Sequence, residues 1–422
     1  MIKRLELKKI ITSPIVITLL ILFTAFNIFI IYQHAPMRED MSRINRIIDD
    51  NGTLMDEKGR KNLKNSYEKE LASWNRLAEK KTGKTYESAS EFFEPENYYP
   101  AIESGVFTEA ELERIVDLMV KESYLLTAED IVKQYENMDL LEAAEAQIKM
   151  YGLSGEAAET VREQYKSLEP RLEEIKKNKE HLHLFFLGKM FETHSFLFKT
   201  LFRYIIFQAM LLVVLFTAFL VNYEYDQHTY LLTYSTKRGR KLMWDKLAAS
   251  LFASVMVTAF LLFGTFVVYF LVFDYSRLWK VPISTGFLIE PNNAPFISWW
   301  NFTFIEYFLL GCLLLLICQI LFTLITFVLS MWIRNSYVVF IIFGVLLGAG
   351  ILLPGKMPLD SNTIFYAHFT PFVLMLGSKK WWMESGAFTT FQYYELITLG
   401  IWLPLFMLTT FLCIKRFYHQ NL

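Results

Sequence analysis

Six uncharged apolar runs interrupt an otherwise polar chain: Ile10–Ile31, Tyr204–Val221, Leu247–Phe273, Tyr307–Ile333, Tyr337–Leu353 and Leu396–Ile414. At about 1.5 Å per helical residue, about 20 residues cross a bilayer core, so each run suffices or nearly suffices for one span. The expected fold class is an all-α integral membrane protein: six transmembrane helices plus a helical extracellular domain. Ile10–Ile31 is read as an uncleaved first span. It exceeds the roughly 7–15 apolar residues of a signal peptide, and Gln33-His34-Ala35 puts a large residue where cleavage wants a small one.

Between 36 and 183 the chain is polar overall, and its apolar positions repeat at helical spacing. Leu112, Ile115, Val116 and Met119 share one face, as do Ile131, Tyr135, Met138, Leu141 and Ala144. Thr108-x-x-Glu111 and Ser88-x-x-Glu91 read as capping boxes, and Thr127 and Ser154 as N-caps. Asn51-Gly52, Pro95, Pro100 and Tyr151-Gly152 punctuate the segments. The charged stretches 57–81 and 156–180 are expected to pair as a hairpin. Over 181–199, Leu184, Leu187, Phe191 and Phe198 line one face beside Lys189, Glu192 and Lys199; this segment either continues straight into the second span or, as its amphipathic face favours, lies at the outer surface as an interfacial helix. The expected organisation is residues 1–33 as an N-terminal lead-in and first span, 34–199 as the extracellular part, and 200–422 as spans two to six.

Composition sharpens this picture. The chain is 53% hydrophobic yet 20% charged, and the charge is concentrated in the insert rather than spread evenly. A formal net charge of -1 excludes a general nucleic-acid binder. Cys312, Cys318 and Cys413 all fall in apolar runs and read as packing residues.

Charge also orients the chain. Basic residues cluster in MIKRLELKK, in the 237–246 segment, at Arg334 and at 415–416. The positive-inside bias therefore places both termini and the 222–246 loop in the cytoplasm. Leu5–Ile11 reads as an amphipathic segment near anionic headgroups. In 222–246, Tyr230, Leu231, Tyr234 and Leu242 have helical spacing, so this loop is expected to be a docking element. Phe365–Leu376, within 354–394, is too short to span and is expected to be re-entrant or interfacial. Gly344, Gly348 and Gly350 suit close helix contact.

Within the 222–246 loop, Glu224, Thr229, Leu231, Leu232, Arg238 and Lys246 follow the order of a motif. With the six-run topology and the long insert after the first run, they resemble the permease subunit of ABC transporters of the type V (ABC-2) exporter class. The resemblance covers the chain outside 36–183. It departs at His228, where the family has Gly, at Ser235-Thr236, where Pro is expected, and at Asp245 before Lys246. It implies a loop helix docking on a cytoplasmic ABC ATPase subunit through those six residues, and a second permease chain, identical or not. It also implies that this chain is not an enzyme and binds no cofactor, ATP and Mg acting through the partner. The implied location is the plasma membrane of a bacterial cell, in contact with membrane lipid.

Other patterns are weaker. Gly350–Lys356 fits G-x-x-x-x-G-K, but Met357 stands where Ser or Thr must hold Mg²⁺ and no strand precedes it. His181 and His183, at i and i+2, point apart on a helix and do not suit a metal. Gln208, Glu306, Gln319 and Glu395 are candidates for a substrate path, since polar groups at membrane depth are costly. Lys356, Lys379 and Lys380 are possible partners for the two carboxylates. The aromatic-rich spans suggest an amphipathic peptide, antimicrobial or lipid-like cargo. The alternative function is a membrane sensor or immunity protein whose extracellular helical domain binds a ligand.

Overall fold

The computed structural model of the chain describes residues 2–183, 189–284, 297–378, 380–384 and 386–419. Among them the regular structure is helical, with no strand beyond isolated bridges. Five stretches are long and apolar enough to cross a membrane: Pro14–Gln33, Glu192–Asp226, Arg238–Val272, Phe304–Trp332 and Tyr394–His419. The apolar helix Ser336–Leu352 has 17 residues. Its length of about 26 Å falls a little short of a hydrocarbon core of about 30 Å.

In chain order, α1 (Ile2–Ile11) and α2 (Pro14–Gln33) open the structure. The insert follows as α3 (Arg38–Asn51), α4 (Glu57–Thr82), α5 (Ala89–Phe92), α6 (Pro95–Glu103), α7 (Glu109–Glu136), α8 (Leu140–Tyr151), α9 (Gly155–Lys166) and α10 (Glu169–Lys177). Then come α11 (Lys189–Ser195), α12 (Phe202–Asp226), α13 (Tyr230–Tyr234), α14 (Lys237–Arg240) and α15 (Leu242–Val272). The chain closes with α16 (Phe304–Trp332), α17 (Ser336–Leu352), α18 (Thr363–His368), α19 (Pro371–Leu376) and α20 (Tyr394–His419).

Two helices form the centre of the bundle. In the stretches containing α12 and α16, 72% and 67% of the apolar window is buried, against 17% in α2 and 28% in α20. α12 packs on α15, α16 and α17. Its buried Phe202, Ile205, Ala209, Leu212, Phe216 and Leu220 recur every three to four residues. Phe202 meets Phe198 and Phe266 at ring separations of 5.1 and 4.9 Å. The outer helices expose apolar side chains such as Ile21, Phe29, Ile341 and Leu405. A surface so apolar suits hydrocarbon rather than water.

Of the two readings of 181–199, the described residues follow continuation into the second long helix rather than the favoured interfacial helix. α11 passes through a π-helical turn, Phe196–Leu201, straight into α12. Burial is the reason: Thr193, Phe196, Leu197 and Phe198 are enclosed by the bundle, and Phe196 stacks on His34 at 4.0 Å. Leu184 and Leu187, and the side chains of Lys189 and Phe191, lie outside the described residues. The stretch 354–394 carries α18 and α19, which bury Ile364, Phe365, Phe372, Leu374 and Met375. The Gly350–Lys356 pattern straddles the end of α17 and a 3-10 turn, and Gly350 faces Phe372 too closely for any side chain.

Inside the insert, the expected pairing of 57–81 with 156–180 is also corrected. α4 packs on α7, and α9 packs on α8. α4 looks charged on most faces, yet Leu63, Tyr67, Leu71, Trp74 and Ala78 form a buried stripe. Trp74 sits 5.6 Å from Phe92 and 5.1 Å from Phe107, centring a satellite core. Asp56 caps α4 by accepting from Gly59 N–H at 3.0 Å, and Gly83 ends it at φ 71°. The Thr108–Glu111 capping box forms at α7, but Thr127 lies within that helix and not at a cap. Glu122 is a buried carboxylate that accepts from the Tyr67 hydroxyl at 2.7 Å and from Ala89 N–H at 2.7 Å. Burial pushes the Tyr67 hydroxyl up to about 12.

The insert is bolted to the segments between the long helices. Arg171 and Glu180 form a buried bidentate pair at 2.9 and 2.7 Å. The same guanidinium donates to the Ser298 carbonyl at 3.0 Å and the Ser284 hydroxyl at 3.1 Å. Tyr165 hydrogen-bonds Glu384, and Thr160 donates to Asn362 at 2.8 Å. Arg277 pairs with Asp49 at 2.7 Å.

His181 is buried and His183 half-buried, and burial holds both imidazoles below their ordinary value. Protons then bind the unfolded chain more readily than the folded one. Their contribution to stability is complete above about pH 6.5, the ordinary imidazole value, and is lost as pH falls from there toward the folded values. The thermal midpoint should therefore drop between pH 7 and 5.5. His181→Gln should flatten that drop, and an unchanged slope in the variant would contradict the assignment.

Candidate functional site

The bundle end carrying α1, α13 and α14 is its basic end. α12 stops at Asp226, and the chain reverses at His228, whose φ of 56° lies in the left-handed region. Thr229 N–H closes the turn on the Glu224 carbonyl at 2.9 Å. Two short helices follow. Thr236 caps α14 by accepting from Gly239 N–H at 2.9 Å. A β-carbon at Gly239 would lie 1.6 Å from the Thr233 carbonyl oxygen, so glycine alone lets α13 and α14 fold this closely.

A buried charge cluster holds the turn in place. Lys246 is fully enclosed, at 0% exposure, and pairs with Glu224, at 4%. Its ammonium also donates to the Leu220 and Val221 carbonyls at 2.7 and 3.1 Å, filling its donor positions. Glu224 accepts from the Tyr234 hydroxyl at 2.8 Å and lies 3.5 Å from Lys9, which also holds Glu6 at 2.9 Å. Lys9 further sits 4.3 Å over the Tyr223 ring. Burial, reinforced by the Glu224 charge, pushes the Tyr234 hydroxyl well above its ordinary value. One cluster thus joins α1, α12, α13 and α15. Arg240 adds α20 by donating to the Tyr418 carbonyl at 3.1 Å, and Ser336 at the start of α17 bonds Asp226.

The six residues singled out in the loop divide into two groups. Glu224 and Lys246 are internal and pair with each other beneath the loop rather than on its outer face. Breaking bulk-water contact for both charges is tolerable only because each is paired and hydrogen-bonded. Thr229 is exposed. Leu231 and Leu232 are 58% and 82% exposed, whereas Tyr234 on the same short helix is buried. Arg238 faces outward and holds Asp245 at 2.6 Å.

The substrate-path residues are not gathered into one site. Gln208 exchanges hydrogen bonds with Asn27 at 2.8 and 2.9 Å, and Asn27 also donates to Thr265 at 2.9 Å. That triad joins α2, α12 and α15 in the apolar interior, which is the usual work of amides between membrane helices. Gln319 is buried and reaches the Ile206 carbonyl at 3.5 Å. Glu306 is exposed at the first turn of α16 and completes a capping box with Thr303, accepting its N–H at 2.9 Å. Its exposed place at a helix start fits a solvated cap. Glu395 is buried and accepts the Trp382 N–H at 2.6 Å, holding a tryptophan whose φ is 65°. Of its expected lysine partners, Lys379 lies outside the described residues.

Tyr234, Lys9 and Arg240 fall in stretches marked by spacing or charge but not as network partners, and Glu6 and Asn27 complete the networks without having been singled out. Asn27 was visible as an amide inside an apolar run; Glu6 carries no local signal. Among the described residues, no three His, Cys, Asp or Glu side chains come close enough to hold a metal. His194 instead bonds the Tyr275 hydroxyl at 2.9 Å, away from His181. Comparison with protein families, curated proteins and solved structures returned no match to this chain.

Proposed function

We propose that this chain is the membrane subunit of an ATP-driven exporter, whose separate ATPase subunit docks on the 222–246 element. In this reading α2, α12, α15, α16, α17 and α20 are six spans of a plasma-membrane protein. The basic end faces the cytoplasm with both termini, and the insert lies outside. Two such permease chains would serve two ATPase subunits, with ATP and Mg bound by the partner. The cargo would be an amphipathic peptide, antimicrobial or lipid-like molecule.

One observation carries the reading: Leu231 and Leu232 project from a short element that a buried charge cluster ties to α1, α12 and α15 and that Arg240 ties to α20. A motor needs a rigid handle, and a charge cluster that ties α13 to α12 and α15 transmits a push to the bundle. The left-handed turn at His228 adds support, since the family that the loop resembles has Gly there. The alternative, a sensor with a ligand-binding outer domain, draws on the Arg171–Glu180 clamp, which couples the insert to the segments between spans. An ATPase encoded beside this chain favours export, and a kinase there favours sensing.

The test is the double variant Leu231→Glu/Leu232→Glu, co-expressed with the adjacent ATPase. Both side chains are exposed, so the thermal midpoint should hold. Co-purification with the ATPase and stimulated ATP turnover should fall at least tenfold. Unchanged complex and turnover would refute the docking role.

A further inference from the structure

A second feature of the basic end lies outside the docking element. The start of α1, the α14–α15 junction and the end of α20 enclose a groove of about 450 Å³. Lys3, Lys241 and Lys415 line it from these three elements. Among the described lining residues the carboxylate is Asp245, and Arg238, itself on the lining, already holds that group at 2.6 Å. The groove is thus left with an excess of positive charge. Its other wall is apolar and aromatic. Trp244 and Phe411 lie 6.1 Å apart and are 45% and 48% exposed. Further along α20, Met407 and Leu408 are 55% and 58% exposed, so the apolar wall runs on toward the middle of the bundle.

We infer that this groove binds one anionic phospholipid, its phosphate between Lys3, Lys241 and Lys415 and its acyl chains along Phe411 and Leu408. A cationic rim above an aromatic and aliphatic track matches a molecule with a charged head and apolar tails. A soluble phosphate would use the lysines alone and gain nothing from the exposed rings. The inference requires only that the apolar helices sit in a membrane, so it stands or falls apart from the ATPase reading.

The experiment is lipid binding to the full chain in neutral detergent, counted by native mass spectrometry. The probes are phosphatidylglycerol, phosphatidylcholine and inorganic phosphate. Phosphatidylglycerol should bind at one preferred site, and phosphatidylcholine much more weakly. Each cation near a headgroup is worth about fivefold, so Lys3→Gln/Lys241→Gln/Lys415→Gln should lose roughly 100-fold in affinity. A control, Lys58→Gln/Lys61→Gln/Lys64→Gln on exposed α4, should lose nothing. If the triple variant does not fold, Lys415→Gln alone should show the fivefold loss. Equal binding of the two lipids, an affinity loss under threefold in the triple variant, or displacement by equimolar inorganic phosphate would each overturn the inference.

Discussion

Lys246→Met should destabilise the chain by about 3–5 kcal/mol, the usual cost of leaving one member of a buried ion pair alone. Methionine fills most of the lysine stem's space, so the loss is electrostatic rather than steric. What remains is Glu224, 4% exposed, with Lys9 and Tyr234 among the described residues to offset its charge. Two carbonyls, of Leu220 and Val221, also lose their donor. The effect should be local before it is global. The stretch from His228 to Lys241 should become protease-sensitive at temperatures where the bundle stays folded. The double variant Glu224→Gln/Lys246→Met should recover part of the loss, because it removes the stranded charge. A Lys246→Met chain as stable and protease-resistant as the parent would show that the cluster does not anchor the element.

Arg171→Leu should have a comparable effect at the opposite end. The guanidinium is 6% exposed and bridges Glu180, Ser284 and the Ser298 carbonyl. Leucine leaves Glu180, 2% exposed, facing hydroxyl and amide partners without a cation. A loss of about 3–5 kcal/mol is expected, with partial recovery in Arg171→Leu/Glu180→Leu. Because this clamp joins α10 to residues on either side of the 285–296 stretch, limited proteolysis should open both together. Chemical unfolding followed at an insert tryptophan, Trp74, and a bundle tryptophan, Trp332, should separate into two transitions in the variant. Coincident transitions at the parental midpoint would show that the clamp adds nothing.

Much of the architecture is legible in the sequence. An uncharged run of about 20 residues has few ways to satisfy its backbone other than a helix, so the runs locate the long helices directly. The 337–353 run also gave a helix, though one of 17 residues. Boundaries were blurred where charge is buried by pairing. The third long helix was placed from Leu247, whereas α15 starts at Leu242 and swallows Lys246. The partner that permits this, Glu224, stands 22 residues earlier, and no local pattern links them. Helix pairing in the insert was hidden for a related reason. The stripe from Leu63 to Ala78 is spaced for a buried face, but the charges around it suggested a solvated one. Glu306 could have been recognised, since Thr303-x-x-Glu306 is the same capping signature read correctly at Thr108. The Arg171 clamp and the lysine groove depend on tertiary placement alone.

The most direct test places a photo-crosslinking residue at position 232 in the intact chain within its native membrane. The account predicts an ultraviolet-dependent adduct, identified by mass spectrometry as a nucleotide-binding ATPase subunit. That subunit's ATP turnover should rise when it is reconstituted with this chain. The same probe at position 359, in the segment between α17 and α20, should give no such adduct. An adduct to that ATPase from position 359 and none from position 232 would contradict the central claim.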